Sequence, residues 1–286
     1  MRVAFKQVDV FTDAPFLGNP VAVILDAAAL TTEEMGRIAA WTNLSETTFV
    51  LPSERADYRL RIFTPRGELP FAGHPTVGSA HAVLEAGLVT PRDGALTQEC
   101  LAGLIPLRVA AGRIVATAPT PKVVRETAPA PEAVAAWLRA PLAEGPAPLA
   151  IDVGPVWLVA QVASPDALAG ARPNLAAIEA ASHEHALSGV TAFAIERAPH
   201  AEARLRVRSF APAAGVPEDP VCGSGNASVG AYLGATGLLA RTGASYVASQ
   251  GRELGRDGRV AVEVRGRKVA IGGSAVTVID GSIRLR

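Results

Sequence analysis

The sequence predicts an α+β protein built from two pseudo-symmetric halves. Short strand-like runs often follow one another without an intervening helix, which argues against repeated βαβ units. A strand, loop and helix segment of the first half recurs in the second. The length, 286 residues, suits two domains or one domain made of two halves.

The chain opens on RVAFKQVDVF and NPVAVIL, β-branched apolar runs bounded by Gly, Pro and Asp, as strands are. TTEEMGRIAAW follows as a helix, with Thr31 or Thr32 placed to cap it. ETTFVLP and YRLRIFTP read as strands, and PTVGSAHAVLEAG as a helix closing in Gly. From about 118 to 150 the composition turns to Ala and Pro, which reads as a linker carrying one surface helix. The domains are therefore placed at 1–118 and 119–286. RVRSFAP, SYVASQG, RVAVEVRG and KVAIGG are strands of the second half, and NASVGAYLGATG is its helix.

The repeat pairs YRLRIFTP with LRVRSFAP, setting Arg61 against Arg208, Phe63 against Phe210 and Pro65 against Pro212. Each copy leads into a Gly-containing helix start, which pairs Gly73 with Gly223, His74 with Ser224 and Ala72 with Cys222. The offset grows from 208 − 61 = 147 to 223 − 73 = 150, so the second loop is three residues longer. Two such helix starts facing each other would offer N–H groups and positive dipole ends to a carboxylate, without a lysine or arginine cluster. Glycine at 73, 223 and 225 would allow close backbone approach to a ligand, or simply satisfy tight turns.

Composition narrows the function. Apolar residues at 49% and charged residues at 19% describe a folded globular protein. The formal charge is zero and the basic residues are scattered, which argues against nucleic acid as a partner. The apolar runs are far shorter than a membrane span, and the N-terminus goes straight into a strand pattern, so a cytoplasmic location is expected. Two cysteines, Cys100 and Cys222, give neither a disulfide framework nor metal-ligand spacing. His74 and His81 lie seven apart without complementary ligands, and His183 and His185 read as surface residues, so no metal is expected. GSGNASVG lacks dinucleotide-binding spacing, and Ser224 lacks a nucleophile-elbow context.

The candidate site gathers at the helix starts. Glu46, in NLSETTFV, has strand-like surroundings that would half-bury it and raise its pKa toward neutrality, where a carboxyl serves as base and then acid. It has no acidic counterpart in the matching stretch GVTAFAIE, so a single base is implied. His74 is an oriented donor to substrate or a helix cap, and Asp219 a ligand contact or the cap of its own turn. Cys222 admits two readings: a thiol activated by the helix start, its pKa lowered, or a small apolar residue packed under the turn.

NLSETTFV, RIFTPRGELPFAGHPTVGSAH, EDPVCGSGNASVGAYL and SQGRELGR closely resemble the phenazine-biosynthesis isomerase family, typified by trans-2,3-dihydro-3-hydroxyanthranilate isomerase. The resemblance runs from the first strand to the terminal GGSAVTVIDGSIRL and is weakest across the Ala/Pro-rich middle. It implies the diaminopimelate epimerase fold: two halves, each a mixed sheet curled around a central helix, with the site between them and the last strand free to return to the first half. It further implies a cofactor-free isomerase with Glu46 as the acid/base. His74 and Asp219 would polarise or bind the substrate, with Gly73, Cys222, Gly223 and Ser224 around it. The substrate would be a small carboxylate of the dihydro-hydroxyanthranilate kind, and the protein a homodimer. Related epimerases use two opposed cysteines; here Ala72 stands opposite Cys222, which rules out a two-thiol mechanism. Two alternatives remain: an amino-acid epimerase or racemase pairing Cys222 with Glu46, and a carboxylate-binding protein without turnover.

Overall fold

The computed structural model describes residues 2–125, 128–196 and 202–285. The chain divides into two compact units, Met1–Thr117 with Gly272–Arg286, and Ala118–Ile271.

The first unit contains β1 (Arg2–Val10), β2 (Asn19–Ile24), α1 (Thr32–Thr42), β3 (Thr47–Leu51), β4 (Tyr58–Thr64), β5 (Gly67–Leu69), α2 (Gly73–Glu85), β6 (Ala95–Cys100), β7 (Gly103–Ala110) and β8 (Arg113–Thr117). β1 pairs antiparallel with β2, β2 parallel with β3, β3 antiparallel with β4, and β4 antiparallel with β5 and parallel with β6. α1 starts on a capping box, with Thr31 accepting from the Glu34 N–H and Glu34 reaching back to the Thr31 N–H. Its buried face, Met35 and Ala39, packs with Ile24, Phe49 and Phe63.

The second unit contains β9 (Lys122–Val124), α3 (Pro131–Leu138), β10 (Leu149–Asp152), β11 (Val156–Gln161), α4 (Pro165–Gly170), α5 (Leu175–Glu184), β12 (Gly189–Ile195), β13 (Leu205–Ala211), β14 (Val216–Asp219), α6 (Gly223–Thr236), α7 (Leu239–Thr242), β15 (Ser245–Gln250), β16 (Gly258–Arg265) and β17 (Lys268–Gly273). Its pairings from β10 to β15 repeat those from β1 to β6 in order and sense. The second loop, longer by three residues, contains a single 3-10 turn, Pro212–Ala214.

One segment departs from the sequence reading. The Ala/Pro-rich stretch is no linker: β9 pairs with β10, and Val134 and Leu138 of α3 fill the core beside Leu158, Leu168, Ile178 and Phe210. The terminal strand β18 (Ala275–Arg284) pairs antiparallel with β1, from Arg2↔Arg284 to Val10↔Ala275, and so returns to the first unit.

In each unit the strands wrap a long helix that is apolar or small on nearly every face. α2 packs against β1, β2, β3, β8 and β18, and residues 73–80 are all buried. α6 packs against β10, β11, β12 and β16. Small residues permit this: a Cβ at Gly78 would meet Val21 at 2.5 Å and Val10 at 2.8 Å. No described helix is long and apolar enough to cross a membrane.

Candidate active site

Asn43, in the left-handed conformation, ends α1, and Leu44 and Ser45 lead the chain into β3. Glu46 is the last residue before that strand, followed by the fully buried Thr47, Thr48 and Phe49. Its side chain is 16% exposed. Burial pushes its carboxyl up to about 7, although a hydrogen bond with Ser45 favours the charged form. Oε2 is buried and takes no hydrogen bond from any described residue, and it lies 3.4 Å from His74 Nε2.

His74 is the second residue of α2, 4% exposed, with Nδ1 3.4 Å from Nδ2 of Asn19. α2 begins at Gly73 with Ala72 as an extended N-cap that supplies no side-chain acceptor. The first unit thus brings together a carboxyl that titrates near neutrality, an imidazole, and a helix start without a capping side chain. That set can take a proton from carbon and return it.

In the second unit Asp219, Cys222, Gly223 and Ser224 share one turn at the start of α6. Asp219 Oδ1 accepts from the Val221 N–H at 3.1 Å, so this carboxylate braces its own turn. Cys222 is the N-cap, its Sγ accepting from the Gly225 N–H at 3.2 Å. Ser224 Oγ accepts from Trp157 Nε1 at 3.0 Å. Gly225 is required by packing, since a Cβ there would come within 2.5 Å of Ser209 Oγ and 2.8 Å of Thr191 Oγ1.

Of the two readings of Cys222, the small residue packed under the turn fits its burial, at 3% exposed. Burial raises its pKa well above the ordinary thiol value, and the charge of Asp219 adds to the rise. The Ser224 and Gly225 hydrogen bonds act the other way and are outweighed. The helix start does not deliver a thiolate.

Both units build the strand and hairpin before the helix in the same way. Arg61 forms a bidentate pair with Glu68 at 2.8 and 2.6 Å and lies over Phe63; Arg208 does so with Glu218 at 2.8 Å twice and lies over Phe210. These forks fix each hairpin against its strand. Sequence reasoning paired the arginines and phenylalanines and missed the two glutamates, which the growing offset conceals. It also missed Asn19, Trp157, Asn226 and Gln250, since one-letter patterns do not reveal contacts between distant segments.

A family model for phenazine biosynthesis-like proteins (PhzC/PhzF) matches residues 8–281. Antisense-enhancing sequence 1 of Schizosaccharomyces pombe is 42% identical, over 97% of this chain and 97% of its own. The trans-2,3-dihydro-3-hydroxyanthranilate isomerase of Pseudomonas chlororaphis is 34% identical, over 97% of this chain and 98% of its own. Among solved structures, the PhzF-family phenazine biosynthesis protein of Bacillus anthracis matches with a TM-score of 0.87 at 28% identity, covering 100% of both chains.

Proposed function

The chain belongs to the phenazine biosynthesis-like family and is an isomerase of diaminopimelate epimerase-like fold, and from that premise we propose that it moves a proton between carbons of a small carboxylate resembling dihydro-hydroxyanthranilate, with Glu46 as the acid/base. The observation that carries the proposal is the state of Glu46: a half-buried carboxyl pushed up to about 7, with Oε2 taking no hydrogen bond from any described residue and His74 Nε2 3.4 Å away. A carboxyl poised there is a usable base and, once protonated, a usable acid at neutral pH. Glu46 takes the proton from an activated carbon and returns it elsewhere on the conjugated system. His74 and Asp219 polarise the substrate's amino or hydroxyl group. The helix starts at Gly73 and at Gly223–Ser224 each offer backbone N–H groups suited to a carboxylate.

Cys222 lines the turn as its cap. A buried thiol with a raised pKa supports this place better than that of a base paired with Glu46 in an epimerase. The protein acts without a cofactor, in the cytoplasm, as a homodimer.

The test is proton NMR of trans-2,3-dihydro-3-hydroxyanthranilate in D₂O with the wild-type protein and with Glu46→Gln. Rearrangement with deuterium uptake, lost in Glu46→Gln, supports substrate and base together. Binding of the compound without rearrangement would mark a carboxylate-binding protein, and full turnover by Glu46→Gln would remove Glu46 from the mechanism.

A further inference from the structure

The SQG segment at the end of β15 takes no part in the chemistry proposed above, yet its glutamine is bound into the α6 start. Gln250 is 2% exposed, and its carboxamide is used at both ends. Oε1 accepts from the Cys222 N–H at 3.1 Å and from Asn226 Nδ2 at 2.8 Å, while Nε2 donates to the Asp219 carbonyl at 3.0 Å. Asn226 Nδ2 donates also to the Cys222 carbonyl at 2.8 Å. One side chain therefore ties the last residue of β14 to the cap of α6, from 28 residues away along the chain.

The backbone around it is shaped to the same turn. Gly251 has φ +98°, and a Cβ on it would meet the Pro220 carbonyl oxygen at 2.5 Å. A Cβ on Gly258 would run into the Val221 side chain. Residues 220 and 221 are thus pressed between the β15–β16 connection and the helix they introduce. Asn226 is 1% exposed, and its Oδ1 is buried without a hydrogen bond from any described residue. An orphaned carbonyl oxygen is a stability cost, which the structure bears in order to keep both Nδ2 bonds to the turn.

The first unit lacks this clamp. The paired registers Tyr58↔Gln98 and Leu205↔Ala248 set Cys100 where Gln250 stands. There the loop before α2 is held by a backbone bond instead, from the Ala102 N–H to the Pro70 carbonyl at 3.0 Å.

We propose that Gln250 is a positioning residue, whose carboxamide holds the Asp219–Cys222 turn in the one geometry that presents Asp219 and the first residues of α6 to the substrate. The inference rests on the assignment of Asp219 and Ser224 to substrate binding made above. It predicts that removing the carboxamide loosens the turn while leaving the rest of the fold in place.

The experiment compares wild type, Gln250→Leu and the near-isosteric Gln250→Glu, which keeps an acceptor for the Cys222 and Asn226 donors but loses the donor to Asp219. Iodoacetamide labelling of the native protein, resolved by peptide mass spectrometry, reports Cys222 against Cys100 as internal reference. We expect Cys222 to label at least tenfold faster in Gln250→Leu with Cys100 unchanged, and Gln250→Glu to fall between. With trans-2,3-dihydro-3-hydroxyanthranilate as probe, KM should rise at least tenfold and kcat change less. Equal acceleration of both thiols, or of neither, overturns the positioning role, whatever the kinetics. If wild type does not turn over the probe, the substrate assignment fails while the labelling ratio still decides for or against Gln250. Should Gln250→Leu fail to fold, the ratio in Gln250→Glu decides instead.

Discussion

Gly189 stands at the head of β12 where Glu46 stands before β3. Thr47 pairs with Phe63 and with Ala22, and Val190 pairs with Phe210 and with Leu158, so the residues just ahead of each strand are counterparts. The Phe210 carbonyl oxygen and the Trp157 ring fill the space that an acid would need: a Cβ on Gly189 would run into that oxygen and would meet Trp157 Cζ3 at 2.9 Å and the Ala211 Cα at 3.0 Å. The duplication therefore carries one carboxyl, and packing keeps it so. Gly189→Ala is expected to destabilise the protein by about 2 kcal/mol through overpacking, measured by urea denaturation. A neutral result would show that the site has room for a second acid.

The pKa of Glu46 sets a pH dependence of stability. A folded-state value of about 7 against an ordinary 4.5 means that the folded protein holds this proton more tightly than the unfolded chain. The resulting stability is complete below pH 4.5 and is lost as pH rises to about 7, a span worth about 3 kcal/mol. Glu46→Gln lacks this loss. Between pH 4 and pH 8.5 its stability relative to wild type should improve by about 3 kcal/mol in parallel denaturant titrations; parallel curves would contradict the assignment.

Cys222 is expected to behave as a cap and not as a base. Cys222→Ser keeps an acceptor for the Gly225 N–H and should retain stability and most turnover. Cys222→Ala removes the acceptor and should cost about 1 kcal/mol in thermal or urea unfolding. Loss of turnover in the serine variant at unchanged stability would restore the thiol to the chemistry.

The two arginine forks differ in depth. The Arg208 side chain is 6% exposed and also donates to the Leu168 and Ala171 carbonyls, whereas Arg61 is 16% exposed. Arg208→Ala leaves Glu218 without its guanidinium and takes one donor from each of two carbonyls, and should cost about 3 kcal/mol or more. Arg61→Ala should cost about 1–2 kcal/mol. Equal losses would mean that the added carbonyl bonds contribute nothing.

Much of the fold was legible because both copies of the repeat keep Arg, Phe and Pro at the same spacing and both central helices are rich in small residues. The helix α3 was expected, but only on the surface of a linker: Ala and Pro suggest a linker, yet Val134 and Leu138, four apart, suffice to anchor the helix in the core. α5 buries only Ile178, Ala181 and Ser182, too weak a stripe to stand out in sequence. At the site, the residue types around Glu46 indicated its burial. The thiol of Cys222 stayed open between two readings, because its helix position is local information while desolvation depends on the whole fold. Gln250 reaches the site from 28 residues away, and no local pattern encodes that contact.

The central claim, that Glu46 is an acid/base poised at neutrality, is tested most directly by ¹³C NMR titration of its side-chain carboxyl, assigned by difference from Glu46→Gln. We predict a midpoint at about 7. A midpoint near the ordinary 4.5 would mean a carboxylate that is ionised and weakly basic throughout the neutral range, and would contradict the account.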